Sequence, residues 1–166
     1  MIISNASPLI YLSKLGRLGL LKKLFTSILI PEEVCKEILK GKEEKFADAL
    51  VIEEAIKKGW IKIKSVEKDK ELEKFVPELD LGEVALISLA KKLKPSLVLV
   101  DDASARAIAE SFGFNVKGTL YVILIAYRKS LINKKEALEL INKLLLFGFR
   151  ISQELYIQLI EELERA

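Results

Sequence analysis

The sequence predicts an α/β protein in which a mostly parallel sheet is covered by helices. Three observations carry this. Short apolar runs recur along the chain, and stretches of helical periodicity separate them. One run, Leu97–Val100 (LVLV), is apolar throughout, as a parallel strand buried on both faces requires. The stretch Leu81–Leu93 is apolar nearly all round its middle, which marks a buried helix. Strands joined through helices pair in parallel with right-handed crossovers.

Taken in order, Met1–Ser4 reads as the first strand, ending at Asn5. Ser7 reads as the N-cap of a helix, with Pro8 at its first position, where a missing N–H costs nothing. That helix runs to Leu15, Gly16 breaks it, and a second runs to Phe25. Ser27–Ile30 is the next strand. Pro31 then opens a helix that Gly41 ends. Lys45–Lys58 is helical and Gly59 closes it. Trp60–Lys64 alternates, as a half-exposed strand does. A polar stretch follows, with a short helix at Lys70–Phe75. Asp80 caps the buried helix. After Leu97–Val100, the pair Asp101–Asp102 leads into the helix ASARAIAESFG. Asn115–Lys117 is a short strand, and Gly118–Thr119 leads into LYVILIAYRK. Two more helices, Lys134–Leu146 and Gln153–Glu164, follow. In the last, Leu155, Tyr156, Leu159, Ile160 and Leu163 share one face.

Composition narrows the chemistry. A chain of 166 residues suits one domain over 1–166, with C-terminal helices (133–165) packed on it. Its 51% hydrophobic and 31% charged residues exclude a disordered chain. The apolar stretch LYVILIAY is too short to span a bilayer. No basic-then-apolar leader opens the chain, so a cytoplasmic location is expected. Cys35 has no second cysteine to pair with and reads as a small core residue. The absence of histidine removes Ser-His-Asp and Cys-His catalysis and histidine-based zinc sites. A net charge of +3 is a mild hint of an anionic partner. High Lys, Glu, Ile and Leu with little Gln is a thermophile's composition.

Parallel sheets bind ligands beyond the carboxyl ends of their strands, near the topological switch point. The polar residues at or after those ends are Asn5, Glu37 (with Glu32 and Glu33), and Asp101–Asp102, with Asp80 and Glu83 opening the buried helix. Each has a plainer reading. Asn5 reads equally as a turn or capping residue. Glu37 reads as a solvated helix residue. Asp80 with Glu83 reads as a capping box, which gives Asp80 a structural role and Glu83 a mixed one. Arg106, four residues after Asp102, is placed to pair with it along the helix. Capping explains only one member of the Asp101–Asp102 pair. Two carboxylates about 4 Å apart repel by roughly 4 kcal/mol at an effective dielectric of about 20. A convergent cluster must therefore protonate, pair with Lys or Arg, or bind a cation. Carboxylates without histidine favour the hard ions Mg²⁺ or Mn²⁺, which serve phosphoryl chemistry.

The stretches SNASPLIYL, IPEEVCKEI, LDLGEVALISLA, LVLVDDASARAIAESFGF with VKGTL, and the closing GFRIS follow one another over nearly the whole chain. As an ordered set they resemble the PIN-domain nucleases, in particular a prokaryotic PIN-like subfamily related to toxin nucleases of toxin–antitoxin pairs. The resemblance implies a three-layer fold with a five-stranded parallel sheet flanked by helices. It implies a Mg²⁺- or Mn²⁺-dependent nuclease acting on single-stranded RNA, sometimes as a toxin with an antitoxin protein, and a homodimer. The family's four acidic positions fall on Asn5, Glu37, Glu83 and the Asp101–Asp102 pair. Its hydroxyl residue after the first acid falls on Ser7, and Thr119 matches a polar position near the site. PIN nucleases usually carry Asp where this chain has Asn5. An amide oxygen can ligate a metal or orient water, but it brings no charge, which weakens Mg²⁺ binding.

Three readings follow. The first is a metal-dependent endoribonuclease in which Glu37, Glu83, Asp101 and Asp102 hold the ion and Asn5 is a neutral ligand or water positioner. The second, motivated by Asn5, is a catalytically impaired PIN domain that binds RNA or a protein. The third is a receiver-like Mg²⁺-binding acidic pocket, built on LVLVDDASARAIAESFGF. It is disfavoured, because that stretch sits late in the chain and KGTLYVILIAYRK supplies no phospho-accepting Asp.

Overall fold

The computed structural model describes residues 1–44 and 46–165. The chain divides into two compact units, Met1–Thr119 and Leu120–Ala166.

The first unit contains the sheet. Its strands are β1 (Ile2–Ser4), β2 (Ile28–Pro31), β3 (Ile61–Lys64), β4 (Leu97–Leu99) and β5 (Val116–Lys117). They lie in the order β3-β2-β1-β4-β5, and every pair is parallel. Its helices are α1 (Ala6–Lys14), α2 (Gly19–Phe25), α3 (Glu32–Glu43), α4 (Ala47–Lys57), α5 (Leu81–Leu93) and α6 (Ala103–Ser111), with a 3₁₀ helix at Lys70–Phe75. The result is the expected five-stranded parallel sheet flanked by helices. Strand order reverses between β1 and β4, where Ile3 pairs with Val98 and Ser4 with Leu99. The Asn5 N–H continues this ladder by donating to Leu99 O at 2.8 Å. Asn5 thus leaves the sheet at the switch point, where a crevice forms naturally.

Burial explains the arrangement. Ile3 and Val98 from the strands and Val100 just after β4 pack with Leu86, Ile87, Leu89 and Ala90 of α5 and with Ala105 and Ala109 of α6. Helix α5 is buried from Gly82 to Ala90, as an apolar circumference requires. Asp80 and Glu83 start it with a reciprocal capping box. Asp80 Oδ1 accepts from Glu83 N–H at 2.8 Å, and Glu83 Oε2 accepts from Asp80 N–H at 2.9 Å.

Several local expectations change. The N-cap of α1 is Asn5, not Ser7, and its side chain makes no capping bond. Ser7 lies inside the first turn. Helix α3 does not stop at Gly41 but runs on to Glu43. Gly41 serves close packing instead: a methyl there would meet the Phe46 ring at 3.4 Å. The helix start expected at Lys45 lies outside the described residues, and α4 begins at Ala47. Gly16 and Gly59 do break their helices, with φ of +66° and +81°.

The second unit contains most of α7 (Thr119–Arg128), α8 (Lys134–Leu146) and α9 (Gln153–Arg165). Asn133 and Glu136 cap α8 reciprocally. Tyr127 Oη donates to Leu163 O at 3.2 Å, and Arg128 pairs with Glu162 at 3.0 Å, which ties α7 to α9. Of the five residues expected on one face of α9, Leu159 and Leu163 are buried and Leu155 is exposed. Among the described residues no helix is long and apolar enough to cross a membrane.

Candidate functional site

The first turn of α5 faces the end of β1. Gly82, its second residue, is buried and has no side chain, which leaves a small hollow. A methyl on Gly82 would stand 3.2 Å from Glu37 Oε2, 3.4 Å from Asp80 Oδ1 and 3.6 Å from Asn5 Oδ1. Three oxygens from three separate elements therefore ring one point. Asn5 is 5% exposed, and its Oδ1 is buried with no hydrogen-bond partner among the described residues. A buried amide oxygen without a donor costs about 1–3 kcal/mol, so this one calls for a ligand or a positive charge.

Glu83 stands next to the hollow and is 6% exposed. Its carboxyl is pushed up to about 7. Burial is the largest cause, and the charges of Asp80, Asp102 and Glu37 add to it against the Asp80 N–H bond. Glu37 is exposed as a residue, yet its carboxyl is also raised, by desolvation first and then by Asp80, with Lys40 opposing. Glu37, Asp80, Glu83 and Asp102 thus share one field of negative charge.

The acidic pair after β4 divides its work. Asp102 is the N-cap of α6, its Oδ1 accepting from Ala105 N–H at 2.9 Å. Asp101 turns toward β5. Thr119 donates its N–H to Asp101 Oδ1 at 2.7 Å and its hydroxyl to Oδ2 at 2.7 Å. Gly118 leaves room for this: a methyl there would come 2.5 Å from Asp101 Oδ1. Burial raises the Asp101 carboxyl, against the two Thr119 bonds and the charge of Arg106. Arg106 accordingly acts on Asp101, and among the described residues no ion pair joins it to Asp102. Burial first, and then Asp101, raise the Tyr11 hydroxyl.

Of the residues singled out from sequence, Asn5 and Glu37 meet at the Gly82 hollow, Glu83 and Asp102 feel the same charges, and Asp101 is held by Thr119. Ser7 is half-buried in α1, with no hydrogen bond from its side chain among the described residues. Asp80 was assigned to capping alone, yet the oxygen that caps α5 is also one of the three around the hollow. The pattern D-x-G-E carried that signal, since a glycine inside a cap leaves the cap's oxygen open to a ligand.

Among the described residues no three acidic, histidine or cysteine side chains are grouped to hold an ion by themselves. The donor set here includes an amide oxygen. Mg²⁺ is commonly held by one or two carboxylates with several waters retained. A buried oxygen without a donor among the described residues and an all-oxygen set with excess negative charge fit such an ion.

Comparisons with curated proteins and with solved structures give no match. The PIN-domain family matches residues 1–165, which takes in the sheet, the hollow and the Asp101–Thr119 pair alike. With that match spanning nearly the whole sequence, the chain belongs to the PIN-domain family, whose activity is of nuclease type.

Proposed function

We propose that the protein is a Mg²⁺- or Mn²⁺-dependent endoribonuclease that hydrolyses phosphodiester bonds of single-stranded RNA. The observation that carries this reading is the Asn5 oxygen, buried and without a donor among the described residues, beside Glu37 and Asp80 at the Gly82 hollow.

Asn5 Oδ1, Glu37 and Asp80 would hold the ion, with the charges of Glu83 and Asp102 acting on the same place. The chemistry a bound ion supplies there is polarisation of a phosphate oxygen and acidification of the attacking water. Glu83 has the pKa of a group that takes and releases a proton near neutral pH. In the reaction the water oxygen bonds to phosphorus, its proton passes to a carboxylate, and the bond to the leaving sugar oxygen breaks as that oxygen takes up a proton from solvent. Thr119 fixes Asp101 in one orientation, and the Arg106 charge favours its ionised form.

The experiment is cleavage of single-stranded RNA with Mn²⁺ by wild type, Glu83→Ala and Asp101→Ala. Both substitutions should abolish cleavage. Cleavage that survives both places the chemistry elsewhere.

The neutrality of Asn5 favours a second reading, a PIN domain that binds RNA or a protein with little turnover. Asn5→Asp separates the two: a large gain in cleavage marks an impaired nuclease, and no gain shows that the amide suffices.

A further inference from the structure

A cavity of about 300 Å³ adjoins the site and is not used by the chemistry above. It lies between α1, α3 and the start of α4. Ile10 and Ile38 give it an apolar floor, Lys14 and Lys40 stand on its wall, and Phe46 is part of its rim. Glu37 lines this cavity and also reaches the hollow at Gly82, so the two spaces share that side chain.

Phe46 is the unusual member. Its ring rests on Gly41, and the residue is nevertheless 52% exposed. Its backbone is fixed by a 2.8 Å bond from its N–H to Gly41 O. A single exposed apolar residue needs no explanation. One that is held in place at the mouth of a cavity, beside two lysines, does. Neither Lys14 nor Lys40 has an ion-pair partner among the described residues, although Lys42, Lys57 and Lys58 nearby all do.

We propose that this cavity binds one unstacked nucleoside of the RNA strand next to the scissile phosphate, with the base on Phe46 and the adjoining phosphate on Lys14 and Lys40. The inference rests on the nuclease reading for its substrate class. The volume is at the low end for small-ligand sites, which suits one nucleoside. Bases stack on aromatic rings whatever their identity, and a strand can offer a splayed base only where it is single. The remaining carboxylates of the wall, Glu44 and Asp48, are acceptors only. They suit the amino and imino N–H groups of a base edge and leave the lysines to the phosphate.

The test is binding of a short fluorescein-labelled oligoadenylate, followed by anisotropy in EDTA so that cleavage plays no part. Phe46→Ala should weaken binding about tenfold, and Phe46→Trp should restore it. Lys14→Gln with Lys40→Gln should lower affinity and reduce the salt dependence by about one to two phosphates. Phe46 is half-exposed with its ring on Gly41, so Phe46→Ala should melt only a few degrees below wild type, and binding is compared where both are folded. Unchanged oligoadenylate affinity in a folded Phe46→Ala protein overturns the proposal. So does equal, equally Phe46-dependent binding of a duplex of the same length. Cleavage with Mn²⁺ is read separately: a wild type that binds through Phe46 but does not cleave defeats the nuclease reading and leaves the nucleoside site standing.

Discussion

Thr119 occupies both carboxylate oxygens of Asp101, its N–H on one and its hydroxyl on the other, each at 2.7 Å. Thr119 is fully buried, so the hydroxyl has no water to replace this bond. Thr119→Val keeps the shape and removes the hydroxyl. It should cost about 1–3 kcal/mol in urea denaturation, and it should slow RNA cleavage about tenfold by freeing Asp101 to turn. Thr119→Ser should recover most of both. Full activity in a destabilised Thr119→Val protein would show that the orientation of Asp101 does not matter.

Gly82→Ala tests the hollow. A methyl there stands 3.2–3.6 Å from the three oxygens. The methyl needs Glu37 Oε2 to give by a few tenths of an ångström, so urea denaturation should accompany the titration to confirm that the variant is folded. Calorimetric titration should show Mn²⁺ affinity reduced about tenfold. Unchanged affinity would move the ion away from Gly82.

Stability should depend on pH through Glu83. Its folded pKa, about 7, lies above the ordinary glutamate value of 4.5, so the folded protein holds this proton more tightly than the unfolded chain. The stabilisation is complete at low pH and is lost as pH rises through about 7. Burial raises Glu37 and Asp101 in the same direction. Without divalent ions, unfolding free energy should fall by about 2 kcal/mol between about pH 5 and about pH 8. Glu83→Gln, which retains the capping box, should flatten most of that slope. Mn²⁺ should reverse the loss in wild type, because a ligand of the folded state alone stabilises it. A slope that Glu83→Gln leaves unchanged would assign the titration to another group.

Asn5→Asp adds a charge at the hollow. Mn²⁺ affinity should rise about tenfold or more, and stability without the ion should drop by about 1–3 kcal/mol. Cleavage measured alongside separates the two readings of the site. A large gain in rate marks the natural chain as an impaired nuclease. An unchanged rate shows that the amide already suffices.

The order of elements was legible because each left a local mark: an all-apolar run for β4, an alternating one for β3, a reciprocal cap for α5. The cap of α1 was misread because Ser7 is the better capping residue in isolation, and only the ladder bond from Asn5 N–H to Leu99 O shows where the strand ends. The separate duties of Asp101 and Asp102 were not legible at all. They depend on Thr119, eighteen residues further on, meeting one carboxylate and not the other. Asp80 was half read, since a sequence pattern shows that a cap forms but not what else the capping oxygen faces.

That double duty bears on how such a chain can drift. Asp80 is retained by the helix it starts, whether or not RNA is ever cut. Glu37 is exposed and lies in mid-helix, with no cap to keep it. In a descendant released from catalysis, the glutamate at 37 would be the first acid to disappear, while the aspartate at 80 would outlast the activity.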